Sequence, residues 1–153
     1  MHKEKKEARY QRIYEQLELL VRKCQHPDAR MASIIAVLHH KMQGFFWTGF
    51  YFLNNGELLV KTYQGPLACQ VLEKGKGVCW AGITQNKTII VPDVSQFPGH
   101  IACDARSKSE IVVPVHDPQG NVTGVLDIDS ESFGTFDASD ACFLEMIVKL
   151  IFV

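Results

Sequence analysis

The chain has 153 residues, 46% of them hydrophobic and 22% charged, and a net charge of −1. That size buries a core without metal or disulfide staples, and the near-neutral charge argues against nucleic acid or an anionic membrane surface as partner. No run approaches the roughly 18 consecutive apolar residues of a bilayer-spanning helix, and the charged N-terminus does not read as a secretory signal, so the expected location is cytoplasmic.

Residues 4–24 read as a helix, because Tyr10, Ile13, Tyr14, Leu17, Leu20 and Val21 recur at three- and four-residue steps. The basic residues at its start (Lys3, Lys5, Lys6, Arg9) alternate with Glu4 and Glu7 and read as a solvated face. Pro27 ends this segment. Asp28 then stands as an N-cap before a second periodic run through Ala32, Ile35, Leu38 and Met42, closed by Gly44.

From Trp47 the texture becomes aromatic and strand-like. Residues 47–53 and 57–63 flank Asn54-Asn55-Gly56 and predict a hairpin. Gly75 and Gly77 open a short helix to Gln85, and residues 88–91 predict a strand. Residues 92–109 predict a structureless loop of about eighteen residues, a length that in a small domain usually marks function or disorder. Residues 110–115 and 122–129 form a second predicted hairpin around Asp117-Pro118-Gln119-Gly120. Asp137 caps a last helix that continues through Phe143, Ile147 and Leu150. This order predicts an α+β fold with an antiparallel sheet and helices gathered on its faces.

Five cysteines in a reducing compartment point to catalysis, metal binding or plain burial rather than structural disulfides. Cys24 and Cys142 fall on helical stripes and read as small packing residues. Cys69, Cys79 and Cys103 lie in Gly- and Pro-punctuated places. His100, Arg106 and Lys108 lie within five residues of Cys103 and supply the positive charge that supports a thiolate. Each of the three could be a core or loop residue taken alone. As a set they suit an attacking thiol and a resolving one. Cys69, Cys79, His100 and Cys103 also carry zinc-ligating atoms, but the cysteines are 10 and 24 residues apart, unlike the close pairs of zinc knuckles, so no metal is expected.

Asp127 and Asp129 alternate along a strand and share a face, with Leu126 and Ile128 on the other; Glu110 opens the neighbouring strand. Facing solvent, these carboxyls do nothing. Lining a pocket, they would bind an ammonium group, and their mutual repulsion would keep a proton available. Trp47 and Tyr51 share a strand face and could be core or pocket wall. No P-loop, dinucleotide fingerprint or serine elbow is present in the sequence.

These pieces together resemble the free methionine-(R)-sulfoxide reductases, which are single GAF domains. The resemblance rests on WTGFYF (47–52), GPLAC (65–69), GKGVCW (75–80), GHIACDARSKSEIVVPV (99–115) and GVLDIDS (124–130). It implies a GAF fold over residues 1–153: N-terminal helices over 1–43, sheet and active-site loops over 45–130, and a C-terminal helix over 137–153. It implies Cys103 as the attacking thiol, Cys69 as the usual resolving partner and Cys79 as an auxiliary thiol. Trp47, Tyr51, Glu110, Asp127 and Asp129 match the family's substrate-binding positions. The implied activity is reduction of free L-methionine-(R)-S-oxide, with no bound cofactor and with thioredoxin and NADPH as the electron source. The oligomeric state stays open, a homodimer included. Trp80 after Cys79 departs from the smaller residue common there, which affects how exposed Cys79 is. The competing readings are a non-catalytic GAF sensor of a small ligand and a thiol redox switch.

Overall fold

The computed structural model describes residues 2–100 and 103–153. Its elements are α1 (Lys3–Val21), α2 (Pro27–Lys41), β1 (Trp47–Asn54), β2 (Glu57–Gln64), β3 (Val71–Leu72), α3 (Gly77–Gln85), β4 (Ile89–Val91), β5 (Ser109–His116), β6 (Val122–Ser130) and α4 (Ala138–Val148). The strands form one sheet in the order β3-β2-β1-β6-β5-β4, with every neighbouring pair antiparallel. The fold is α+β, as the sequence predicts.

The two faces of the sheet do different work, and strand alternation assigns them. On one face Phe50, Ile111, Val113, Leu126 and Ile128 pack under α1, α2 and α4, against Tyr10, Ile13, Leu17, Ile35 and Leu144. Most of these are 0–1% exposed, and each such aliphatic or aromatic side chain contributes roughly 1.5–3 kcal/mol by leaving water. On the other face Trp47, Tyr51, Val112 and Val125 pack with Val78, Cys79 and Trp80 of α3 in a second, smaller cluster. Asp127 and Asp129 are in phase with Val125, and Glu110 with Val112. The pleat therefore delivers all three carboxyls to this second face.

Buried polar groups tie the helical layer together. Lys6 of α1 bonds Asp140 at 2.7 Å and Asp137 at 3.2 Å, and Tyr10 donates to the other oxygen of Asp140. Asp137 and Asp140 also form a reciprocal capping box at the start of α4, as their spacing predicts. Arg30 of α2 donates to the carbonyls of Val21 and Cys24 and to those of Ile151 and Val153. It thus satisfies carbonyls left open at two helical ends.

Several boundaries differ from expectation for local reasons. Pro27 begins α2 rather than merely ending the previous segment, because proline fits the first helical position. His26 is then the N-cap and Asp28 falls in the first turn. Residues 92–109 are not structureless: Val94–Gln96 form a 3-10 turn capped by the Asp93 side chain. Ile101 and Ala102 of that segment lie outside the described residues. Strand β3 escapes sequence reading because it is two residues long and its place is set by its pairing with Leu58 and Leu59. Among the described residues no helix is long and apolar enough to cross a membrane.

Candidate active site

A hollow opens on the second face of the sheet, floored by β1, β5 and β6 and walled by α3 and the segment before β5. Registry explains which side chains meet there. Glu110 pairs across the ladder with Asp129, and Asp129 pairs on its other side with Trp47. One step along, Asp127 lies between Val112 and Gly49. Three acids from two adjacent strands thus converge beside an aromatic wall.

That wall depends on Gly49. Trp47 lies stacked between Tyr51 and Tyr63, with ring centroids 5.8 and 5.3 Å away. A Cβ on Gly49 would come within 2.5 Å of both the Trp47 ring and the Tyr63 Cβ. The missing side chain is what lets the indole lie flat along the strand. The Tyr51 hydroxyl donates to the Cys69 carbonyl at 2.8 Å, tying the aromatic wall to the segment that carries this cysteine.

Cys69 and Cys103 are joined in a disulfide with Cα atoms 5.6 Å apart. Cys103 lines the hollow together with Cys79, Glu110, Asp127 and Asp129. Cys79 remains a free thiol, 4% exposed, in the first turns of α3. Trp80 turns away from the hollow and donates its indole N–H to the Leu72 carbonyl at 3.2 Å. Its bulk packs the second cluster rather than opening Cys79 to solvent.

Burial sets the protonation of this cluster. Glu110 is pushed up to about 8, first by loss of hydration and then by the charge of Asp129. Asp127 is raised well above the usual carboxyl range by burial and then by Glu110. Burial also raises Asp129, with Asp127 and then Asp104 adding to it. The same desolvation raises the Cys79 thiol. His100 Nε2 lies 3.7 Å from Glu110 Oε1, too far for a hydrogen bond, and burial lowers its basicity more than Asp127 raises it. An empty hollow therefore holds mostly neutral acids, and an arriving cation favours their ionisation.

Two expectations about cysteine surroundings need correction. Arg106 does not support the sulfur of Cys103: it forks onto Asp104, with bonds of 3.0 and 2.8 Å, and lies 4.8 Å over the Phe46 ring. Cys142 is exposed on α4 rather than packed inside, and Cys24 follows the end of α1 and is half-buried. The second correction has a simple origin. Helical periodicity names a stripe, but only packing decides which side of it faces inward.

Sequence reasoning missed other walls. Lys76, Gly77 and Val78 bring the start of α3 to the hollow, and Asp104 and Ser107 bring the far end of the loop. The glycine punctuation at Gly75 and Gly77 was the available signal for the first group. Among the described residues Trp47 Nε1 and Asp127 Oδ1 are both buried there without a hydrogen-bond partner, so the hollow offers one open donor and one open acceptor to a small polar ligand.

Fold and site together define the class: a GAF domain whose hollow is bordered by a disulfide-linked cysteine pair. The GAF domain family pattern matches residues 25–151. GAF domain-containing protein A of Dictyostelium discoideum is 45% identical over 147 residues, covering 95% of this chain and 92% of that protein. Free methionine-R-sulfoxide reductase of Escherichia coli (strain K12) is 40% identical over 120 residues, covering 78% of this chain and 72% of that one. Among solved structures, free methionine-R-sulfoxide reductase from Neisseria meningitidis in complex with its substrate superposes with a TM-score of 0.90 at 40% identity, covering 95% and 87%. The chain belongs to the GAF-domain family of free methionine-R-sulfoxide reductases.

Proposed function

We propose that this protein reduces free L-methionine-(R)-S-oxide to L-methionine, with residues 1–153 acting as one domain in the cytosol. The observation that carries the reading is that the Cys103 sulfur and the carboxyls of Glu110, Asp127 and Asp129 line one small hollow. The stereochemistry comes from the family.

In the reduced enzyme the Cys103 thiolate attacks the sulfoxide sulfur. A carboxyl of the acid cluster gives its proton to the sulfoxide oxygen, and the S–O bond of the substrate breaks as hydroxide leaves and a Cys103–sulfonium S–S bond forms. Hydroxide then attacks the Cys103 sulfur, the S–S bond breaks, and methionine leaves with its electron pair. Cys103 is left as a sulfenic acid. The Cys69 thiol attacks it, water departs, and the Cys69–Cys103 disulfide forms. A thioredoxin-type dithiol, itself reduced by the NADPH system, returns both cysteines to thiols by exchange.

The acids serve substrate choice as well as proton transfer. One ammonium group compensates one carboxylate, so of three crowded carboxyls at least one stays protonated as the donor. A peptide-bound methionine has no α-ammonium at this place, which restricts the substrate to the free amino acid. Trp47 and Tyr51 supply an apolar wall for the methylsulfinyl end.

The test is NADPH consumption with thioredoxin and thioredoxin reductase, comparing the free R sulfoxide, the free S sulfoxide and an N-acetylated R sulfoxide. Turnover of the first alone, abolished in Cys103→Ser, supports the reading. Equal turnover of the N-acetylated compound would overturn the ammonium recognition. Turnover of peroxide but of neither sulfoxide would make the protein a thiol peroxidase or redox switch.

A further inference from the structure

Cys79 takes no part in the disulfide, yet it is buried against the acid cluster. Its sulfur, a Glu110 oxygen and an Asp127 oxygen all lie within 4.8 Å of one another. We propose that these three atoms form a binding site for one thiophilic divalent cation, Zn2+ by its chemistry, at the floor of the hollow. The ion would occupy the place that the proposed function gives to the substrate ammonium, but its binding does not depend on that reading.

Three observations lead there. Zinc bonds of about 2.0–2.3 Å set ligand–ligand separations near 3.5 Å in a tetrahedral shell. The three atoms need to close by little more than 1 Å, within reach of side-chain rotation. Secondly, Asp127 is only 6% exposed and keeps Oδ1 without a hydrogen-bond partner among the described residues; a buried acceptor left open is costly, and a cation is the ligand that satisfies it most strongly. Thirdly, one thiol among two carboxyls selects against Mg2+ and Ca2+, which want all-oxygen shells, and for zinc or cadmium.

This donor set differs from the one the cysteine spacing suggests. Cys69 and Cys103 are consumed by their disulfide, which leaves Cys79 as the sulfur ligand and the sheet acids as its partners. The site therefore exists in the oxidised enzyme. Binding displaces the thiol proton, and any carboxyl protons, to solvent. An ion held there would block the hollow until chelated.

The experiment uses the oxidised full chain, so its outcome is separate from that of the sulfoxide assay. Cd2+ is titrated while the ultraviolet thiolate-to-cadmium charge-transfer band is recorded, and Zn2+ affinity is measured by calorimetry. One equivalent should bind in the micromolar range or tighter. The band should vanish in Cys79→Ser and persist in Cys24→Ser and Cys142→Ser, whose sulfurs lie outside the hollow. Glu110→Gln, which tests the site should Cys79→Ser fold poorly, should keep the band but weaken binding at least tenfold. A band that survives Cys79→Ser, a band lost with Cys24 or Cys142, a smaller loss in Glu110→Gln, or binding only at millimolar metal would each overturn the proposal.

Discussion

Glu110 on β5 stands directly across the ladder from Asp129 on β6, and both carboxyls line the same hollow. Like charges at facing ladder positions destabilise a sheet, and burial multiplies the cost. Asp127, one register step away on the same face, adds to it. Stability alone therefore does not account for three acids at these positions.

That cost has a pH signature. The folded carboxyl of Glu110 titrates near 8, against an ordinary value of 4.5, so the folded state holds its proton longer than the unfolded chain does. The stabilisation this gives is complete below pH 4.5 and is lost as pH rises to about 8. The loss is on the order of a few kcal/mol and is shared with the coupled acids. The melting temperature should therefore fall between pH 5 and pH 8. Glu110→Gln should flatten that fall and melt several degrees higher than wild type at pH 8, while turnover drops at least tenfold. Calorimetry at the two pH values checks it; a variant melting lower than wild type at pH 8 would count against this account.

How much of this was readable beforehand differs between fold and site. The hairpins, the last capping box and the shared face of Asp127 and Asp129 follow from short-range rules, and the structure has them. The meeting of Glu110 with Asp129 depends on registry between strands, which local periodicity does not specify. The hydrogen-bonding of Arg106 and the exposure of Cys142 likewise depend on neighbours distant in sequence or on which way a helix is rotated. Recognition of the cysteine and acid motifs narrowed the site, whereas the α3 wall at Lys76–Val78 and the packing that holds Trp47 flat emerged only with coordinates.

The cysteine pair predicts a split between chemistry and recycling. In Cys69→Ser the sulfenic acid on Cys103 loses its partner. Prereduced Cys69→Ser should still release close to one methionine per enzyme in a single turnover, while its thioredoxin-supported steady-state rate falls at least tenfold. Rapid-quench measurement of methionine distinguishes the two phases. No methionine in the first turnover would mean that Cys69 acts before the sulfur–oxygen bond breaks.

The Lys6 ion pair should matter far more than its position near the N-terminus suggests. Its side chain is 10% exposed and that of Asp140 only 2%. Removing one member strands a buried charge, at a cost of about 3–5 kcal/mol. Lys6→Met should lower the unfolding free energy by that amount, and adding Asp140→Asn should recover part of it. Because the pair lies in the helical layer, substrate KM should stay within twofold. Urea unfolding of the single and double variants, with KM in parallel, tests both halves.

Gly49→Ala carries the argument from backbone to substrate. The added Cβ meets the Trp47 ring and Tyr63 Cβ at 2.5 Å, so the indole must lift off the strand. Overpacking of this kind costs about 1–3 kcal/mol. The larger effect should fall on binding: KM for the free sulfoxide should rise at least tenfold, with kcat reduced less because Cys103 is untouched. Gly124→Ala provides the comparison, since its Cβ would come equally close to the Phe52 ring and the Tyr51 carbonyl, and Phe52 packs in the helical core on the opposite face. It should destabilise at least as much and leave KM far closer to wild type. Equal KM changes in the two variants would mean that Trp47 responds to general loosening of the sheet, and that its flat pose does not shape the hollow.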